Sequence, residues 1–208
     1  MQGSTERLIV VADVSGSMGC PAGGNPNVTC MDVCISLAMY IAERGAGPFK
    51  DAFITFSSQP QLQVLKGKTL YDRYAELHRA QWSMSTNLTG VFDSILKTAL
   101  RDGVPESDMP TTVVILSDMQ FNECITTNGT AMQAIDARYQ AAGYVRPKVV
   151  FWNLKAHNGT NPATINDAGV ALVSGFSPAI MTSILNGKDF SPEGIMLETV
   201  RKPRYDWQ

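Results

Sequence analysis

Asp13, Ser15 and Ser17 occupy alternate positions directly after an apolar run, Arg7-Leu-Ile-Val-Val-Ala12. In an extended or tightly turned loop, that spacing can aim three side-chain oxygens into one small volume. A second apolar run, Thr111-Thr-Val-Val-Ile-Leu116, ends in Ser117-Asp118, and Thr86 lies in a polar stretch, Ser83-Met-Ser-Thr-Asn87, that leads into a predicted helix. Asp13, Ser15, Ser17, Thr86 and Asp118 together offer two carboxylates and three hydroxyls, an oxygen-only set with little charge. Such donors suit Mg²⁺, Mn²⁺ or Ca²⁺, whereas zinc and copper favour imidazole and thiolate. Two carboxylates balance a dication while the hydroxyls stay neutral. The ion then remains electrophilic enough to accept an acidic oxygen from another molecule. This is a chemistry of binding.

Those residues can act together only if the chain brings three loops to one place. Continuous apolar runs rich in β-branched residues, such as 7–12 and 111–116, read as strands buried on both faces. A Pro/Gly/Asn-rich stretch through Asn27 is predicted as a loop. From Met31 to Arg44, Val33, Leu37, Tyr40 and Ile41 recur at helical spacing, and Gly45 and Gly47 stop the helix. Ala52 to Phe56 is predicted as a strand, and the alternation in Gln61-Leu-Gln-Val-Leu65 suits a half-exposed antiparallel partner at the sheet edge. Further helices are expected over Thr69 to Gln81, with Leu70, Tyr74 and Leu77 on one apolar stripe, and over Leu88 to Leu100 and Ala131 to Ala142. Lys148 to Leu154 and Val170 to Ser174 read as strands. Ser177 to Leu185 and Pro192 to Val200 read as helices with a proline near each start.

Strand and helix alternate throughout. Parallel strands need long crossovers, usually helical, so the predicted class is α/β: a doubly wound, mostly parallel sheet with one antiparallel edge strand and helices on both faces. In such sheets ligands sit beyond the carboxyl ends of the strands, near the point where strand order reverses. The polar residues that follow the strands are therefore the ones that matter.

Length and composition agree with this. The 208 residues, with no linker or charge block dividing them, are expected to form a single domain over 1–208. A hydrophobic content of 44% with only 17% charged residues excludes a disordered polyelectrolyte. No run approaches the roughly 20 apolar residues of a membrane span, and residues 1–12 lack the features of an export signal. With 17 basic and 19 acidic residues the formal charge is −2, which argues against a phosphate-binding stripe and hence against nucleic acid as a partner of the isolated chain. Cys20, Cys30, Cys34 and Cys124 are too few for a disulfide scaffold, so reduced thiols and a cytoplasmic setting are expected. Cys30 and Cys34 could join Cys20 as soft ligands, but no C-x-x-C spacing and no neighbouring His supports this. They read as small apolar helix residues.

The D-x-S-x-S at Asp13, Ser15 and Ser17, the Thr at Thr86 and the Asp after a buried strand at Asp118 resemble the von Willebrand factor type A domain with its metal-ion-dependent adhesion site. The resemblance covers essentially the whole chain. It implies that Ser15, Ser17 and Thr86 give hydroxyl ligands, that Asp13 and Asp118 act directly or through water, and that an acidic side chain of a protein partner completes the octahedron. In the family's third loop Thr-Asp-Gly is common, whereas Ser117-Asp118-Met119 stands here, and Met119 with Phe121 would give an apolar rim unlike that of integrin-type sites. The segments around Asp13 and Asp118 also resemble a less-characterised branch of these domains that includes the A domain of Ro ribonucleoprotein-type proteins. In those proteins a helical-repeat region lies upstream. The present residues resemble the A-domain part alone, so RNA binding does not transfer with the resemblance.

Two other readings were weighed. An RNA-associated module predicts salt-dependent RNA binding, which the charge of −2 disfavours. A Mg²⁺-dependent phosphohydrolase of the aspartyl-phosphate type would resemble D-x-D after the first strand, where Ser15 replaces the second Asp, and no strand end supplies a lysine to neutralise phosphate. Neither His78 nor His157 is placed as a general base. The expected function is divalent-metal-dependent protein binding, with no catalytic residues.

Overall fold

The computed structural model describes residues 7–23, 25–45, 47–56, 59–80, 87–118, 129–155, 170–175 and 184. In chain order the elements are strand β1 (Leu8–Ala12), a 3₁₀ turn (Gly16–Gly19), strands β2 (Pro21–Ala22) and β3 (Asn25–Thr29), helix α1 (Cys30–Ala42), strands β4 (Ala52–Thr55) and β5 (Leu62–Val64), and helices α2 (Leu70–His78) and α3 (Leu88–Asp102). Strand β6 (Thr112–Ser117), helix α4 (Gly129–Ala141) and strands β7 (Lys148–Asn153) and β8 (Val170–Ser174) follow. Of the two helices predicted after residue 176, Ile184 alone is described, helical and buried in the core; their other residues lie outside the described residues.

The main sheet has the order β5-β4-β1-β6-β7-β8. All its pairs are parallel except β4 with β5, where Ile54 opposes Leu62 and Ala52 opposes Val64. This is the mixed α/β sheet the sequence predicts, including its single antiparallel edge. Because side chains alternate across a strand, β1 sends Leu8, Val10 and Ala12 to one face and Ile9 and Val11 to the other. The first face is covered by Cys34, Ile35, Ala38 and Ile41 of α1 and Leu77 of α2; the second by Val91, Phe92 and Ile95 of α3 and Met132, Ile135 and Tyr139 of α4.

That division follows from handedness. The connection from β1 to β4 runs one way along the sheet, and the connections from β4 to β6 and from β6 to β7 run the other way. Right-handed crossovers therefore place α1 on one face and α3 and α4 on the opposite one. The direction changes beside β1, so the crevice at the carboxyl ends of β1 and β6 is the topological switch point.

Local signals fix the helix ends. Thr29 caps α1: its hydroxyl accepts from Asp32 N at 3.1 Å, and the Asp32 carboxylate accepts from Thr29 N at 2.9 Å, a capping box. Asn87 caps α3 through Gly90 N at 2.8 Å, and Gly103, with φ at +60°, ends it in the left-handed conformation that glycine adopts without strain. Two details differ from the sequence reading. The stretch through Asn27, read as loop, holds β2 and the start of β3, an antiparallel pair with Pro21 opposite Thr29. Leu70, expected on the buried stripe of α2, is the first residue of the helix and is 71% exposed; Leu77 alone on that stripe is fully buried. No helix among the described residues is long and apolar enough to cross a membrane.

Candidate functional site

Strand β1 ends where its apolar run ends, and the next residue continues the parallel ladder: Asp13 N donates to Leu116 O at 2.9 Å. This single bond fixes Asp13 beside the end of β6. There the Ser117 hydroxyl donates to Asp13 Oδ2 at 2.6 Å, a charge-assisted bond wholly inside the protein. The other carboxylate oxygen, Oδ1, accepts from the backbone N–H of Ser15 at 3.0 Å. Asp13 is thus locked from both sides, one partner from its own loop and one from the neighbouring strand. Among the described residues no Lys or Arg pairs with it.

After Asp13 the chain tightens. Met18 N donates to Ser15 O at 3.1 Å, which closes the 3₁₀ turn, and the fully buried Met18 side chain pins that turn onto the α1 face of the core. The turn brings the Ser15 and Ser17 hydroxyls to 3.0 Å from one another, both half-buried. The Ser15 and Ser17 hydroxyls are thus brought together, and Asp13 is tied to the same turn through the Ser15 amide rather than through either hydroxyl. Met18 fills the core.

Asp118 is the first residue after β6, next to Ser117, and is 5% exposed; Asp13 is 8% exposed. Two carboxylates thus stand at the ends of adjacent parallel strands, almost fully withdrawn from water. Beneath them lies α1. Burial above all pushes the Cys30 thiol up to about 12, with the Cys20 sulfur and the Asp118 charge adding to it. Burial likewise raises Cys34, whose next largest influence is the Asp13 charge. These thiols sit within the field of both acids and remain protonated at neutral pH.

Thr86 lies outside the described residues, as do Met119 and Phe121 of the expected apolar rim and Trp82. Among the described residues no group of three or more His, Cys, Asp or Glu side chains gathers as a metal cluster. A cage of two carboxylates and several hydroxyls does not require one. The residue types fit a hard cation: their donors are carboxylate and hydroxyl oxygens, and a buried carboxylate is favoured by a positive charge nearby. Sequence reasoning did not single out Ser117. Its role depends on β1 lying beside β6, which residue spacing does not reveal, although its place before Asp118 at a strand end was visible.

The fold is of the von Willebrand factor A type, a likeness of fold shared with the structure of a Ro protein. The solved structure of the Ro (RSR) protein of Deinococcus radiodurans superposes with a TM-score of 0.60 at 21% identity, over 90% of this chain and 35% of that one. A structure of proximal thread matrix protein 1 from the mussel byssus, described with a zinc-occupied MIDAS motif, gives a TM-score of 0.48 at 16% identity, over 89% of this chain and 46% of its own, a likeness too slight to argue from. At the level of sequence the chain belongs to the family described as Domain of unknown function (DUF7788), whose model matches residues 7–204. It is 34% identical over 200 residues to the uncharacterized protein L728 of Acanthamoeba polyphaga mimivirus. That alignment takes in 95% of this chain and about a third, 34%, of the viral protein's length.

Proposed function

We propose that this chain is a divalent-cation-dependent protein-binding module without catalytic activity. Asp13, Ser15, Ser17 and Asp118, with Thr86 from the second loop, would hold Mg²⁺, or Mn²⁺ or Ca²⁺ in its place. When bound, the ion supplies a Lewis-acidic position for a carboxylate oxygen of a partner. The observation that carries this reading is the cross-strand bond from the Ser117 hydroxyl to Asp13, which fixes one buried carboxylate at the switch point beside a second. Structural acids in a core are usually neutralised by Lys or Arg, and Asp13 has instead two neutral donors. The serine hydroxyls at 3.0 Å from one another lie on the same loop and give further oxygens of the type hard cations choose.

Calorimetric titration of the chain with Mn²⁺ and Mg²⁺ tests the first half of the proposal. One site per chain is expected, lost in Asp13→Ala and in Asp118→Ala while both variants retain the native circular dichroism spectrum. A displayed library of acidic peptides tests the second half: capture should occur in Mg²⁺, disappear with EDTA and fail for Asp118→Ala. Peptide capture that is indifferent to chelator would overturn the adhesion reading, and absence of any divalent site would overturn the whole.

A further inference from the structure

The antiparallel pair β2–β3 places Pro21 opposite Thr29, so that Cys20 and Cys30 are the next facing pair, and Cys30 N donates to Cys20 O at 2.9 Å. Their sulfurs are 3.4 Å from one another. Facing residues in an antiparallel pair have Cα atoms about 4.5–5.5 Å apart, within the span of roughly 4.4–6.8 Å that a disulfide bridges. The two thiols differ in access: Cys20 is half-buried at the end of the 3₁₀ turn, whereas Cys30 is fully buried at the start of α1 and also donates to Leu154 O at 3.3 Å. Cys34, one helical turn further on, directs its sulfur to Leu116 O at 3.7 Å and has no such partner position.

We propose that Cys20 and Cys30 are a redox-modification site that closes reversibly to a disulfide, with a low-molecular-weight disulfide of the glutathione type as the oxidant. The more accessible Cys20, as thiolate, attacks one sulfur of the reagent, forms a mixed disulfide and releases one small thiol. Cys30 then attacks the Cys20 sulfur, its proton passing to the second small thiolate, which leaves as the thiol. Two protein thiols are oxidised by two electrons, and one small disulfide is reduced to two thiols. The bond ties the residue that follows the Ser15–Ser17 turn to the first residue of α1, and so staples the loop bearing the hydroxyls to the helix beneath the carboxylates. The proposal rests on the geometry of the cysteine pair and does not depend on the metal reading.

The test is a titration of the folded chain with oxidised glutathione, in wild type and in Cys124→Ser, followed by alkylation and peptide mass mapping. The expected product is a Cys20–Cys30 cross-link that costs two alkylatable thiols, leaves Cys34 reduced and is reversed by dithiothreitol. Closing so short a loop should also raise Tm by about 5–10 °C under non-reducing conditions. Cys34→Ser should cross-link as wild type does, and Cys20→Ser, at the more accessible position, should not. A stable glutathione adduct on Cys20 with Cys30 still reduced would overturn the proposal, as would a bond to Cys34 or no consumption of thiols at all.

Discussion

The strands β1 and β6 run side by side, and their two ends are finished in opposite ways. At the amino end, Thr111 N donates to Arg7 O at 2.7 Å, Arg7 N donates to the Thr111 hydroxyl at 3.1 Å, and Arg7 Nε donates to Met109 O at 2.6 Å. Carbonyls and a hydroxyl accept from one cationic side chain and the backbone, and no buried carboxylate takes part in these bonds. At the carboxyl end the same pair delivers Asp13 and Asp118, both almost fully buried, with a serine clasp between the strands. The first end is a fastening that stabilises the sheet. The second places two carboxyl groups where water is scarce, which costs stability unless partners satisfy them. The contrast sets plain structural hydrogen bonding against the proposed cation site, and it lets the two be broken independently.

The largest effect is expected at the acidic end. Asp13→Ala should lower Mn²⁺ affinity by more than about 100-fold, beyond what loss of a supporting residue does. Its effect on stability without metal should be under about 1 kcal/mol, since the lost acceptor for Ser117 and Ser15 is offset by relief of the buried charge. Calorimetry and urea unfolding in EDTA would measure the two quantities. Ser117→Ala removes the clasp and leaves the carboxylates in place, so affinity should fall by roughly 10- to 100-fold, the range for a residue that orients a ligand. At the other end the pattern should invert. Arg7→Ala should cost about 1–2 kcal/mol of folding free energy through its lost bond to Met109 O and leave Mn²⁺ affinity unchanged.

Much of this plan is legible in the chain because burial on two faces leaves a plain signature. Leu8–Ala12 and Thr112–Ser117 carry almost nothing but apolar β-branched and aliphatic residues, and the acid that follows each run is a candidate ligand. The β2–β3 pair was not legible, for Pro21, Gly23 and Asn25-Pro26 have turn composition, and the pairing is imposed by the core beneath, where the Cys30 amide and sulfur anchor it to Cys20 and Leu154. Ser117 was hidden for a different reason: only the strand order reveals that its hydroxyl faces Asp13, more than 100 residues away in sequence. The closeness of Cys20 to Cys30 is likewise a property of register and not of spacing. Thr86, by contrast, was chosen from a polar loop in which Ser83, Ser85 and Thr89 offer the same chemistry, and the described residues do not include it.

The smallest effect belongs to a carboxylate that lies outside the site and shows what an acid does when its role is structural. Hydrogen bonds from Thr29, and then from the Tyr74 hydroxyl at 2.7 Å, hold Asp32 below its ordinary carboxylate range, while Tyr74 is pushed up to about 12 by the same bond. A lowered folded value means that the stabilisation from Asp32 is complete above its unfolded pKa of about 3.9 and is lost as pH falls through the lower folded value. Asp32→Asn should therefore cost about 1 kcal/mol at neutral pH, typical of a weakened cap, and the gap to wild type should shrink below about pH 4 in paired denaturant melts. Its metal affinity should match that of wild type.

The central claim is that the ends of β1 and β6 form the floor of a cation site. Crystals soaked in Mn²⁺ and measured at the manganese absorption edge test it most directly. The account predicts one anomalous peak about 2.0–2.4 Å from oxygens of the Ser15 and Ser17 hydroxyls and within one bridging water or less of the Asp13 and Asp118 carboxylates. A peak elsewhere on the surface, or a fully occupied lattice with none at the switch point, would contradict it.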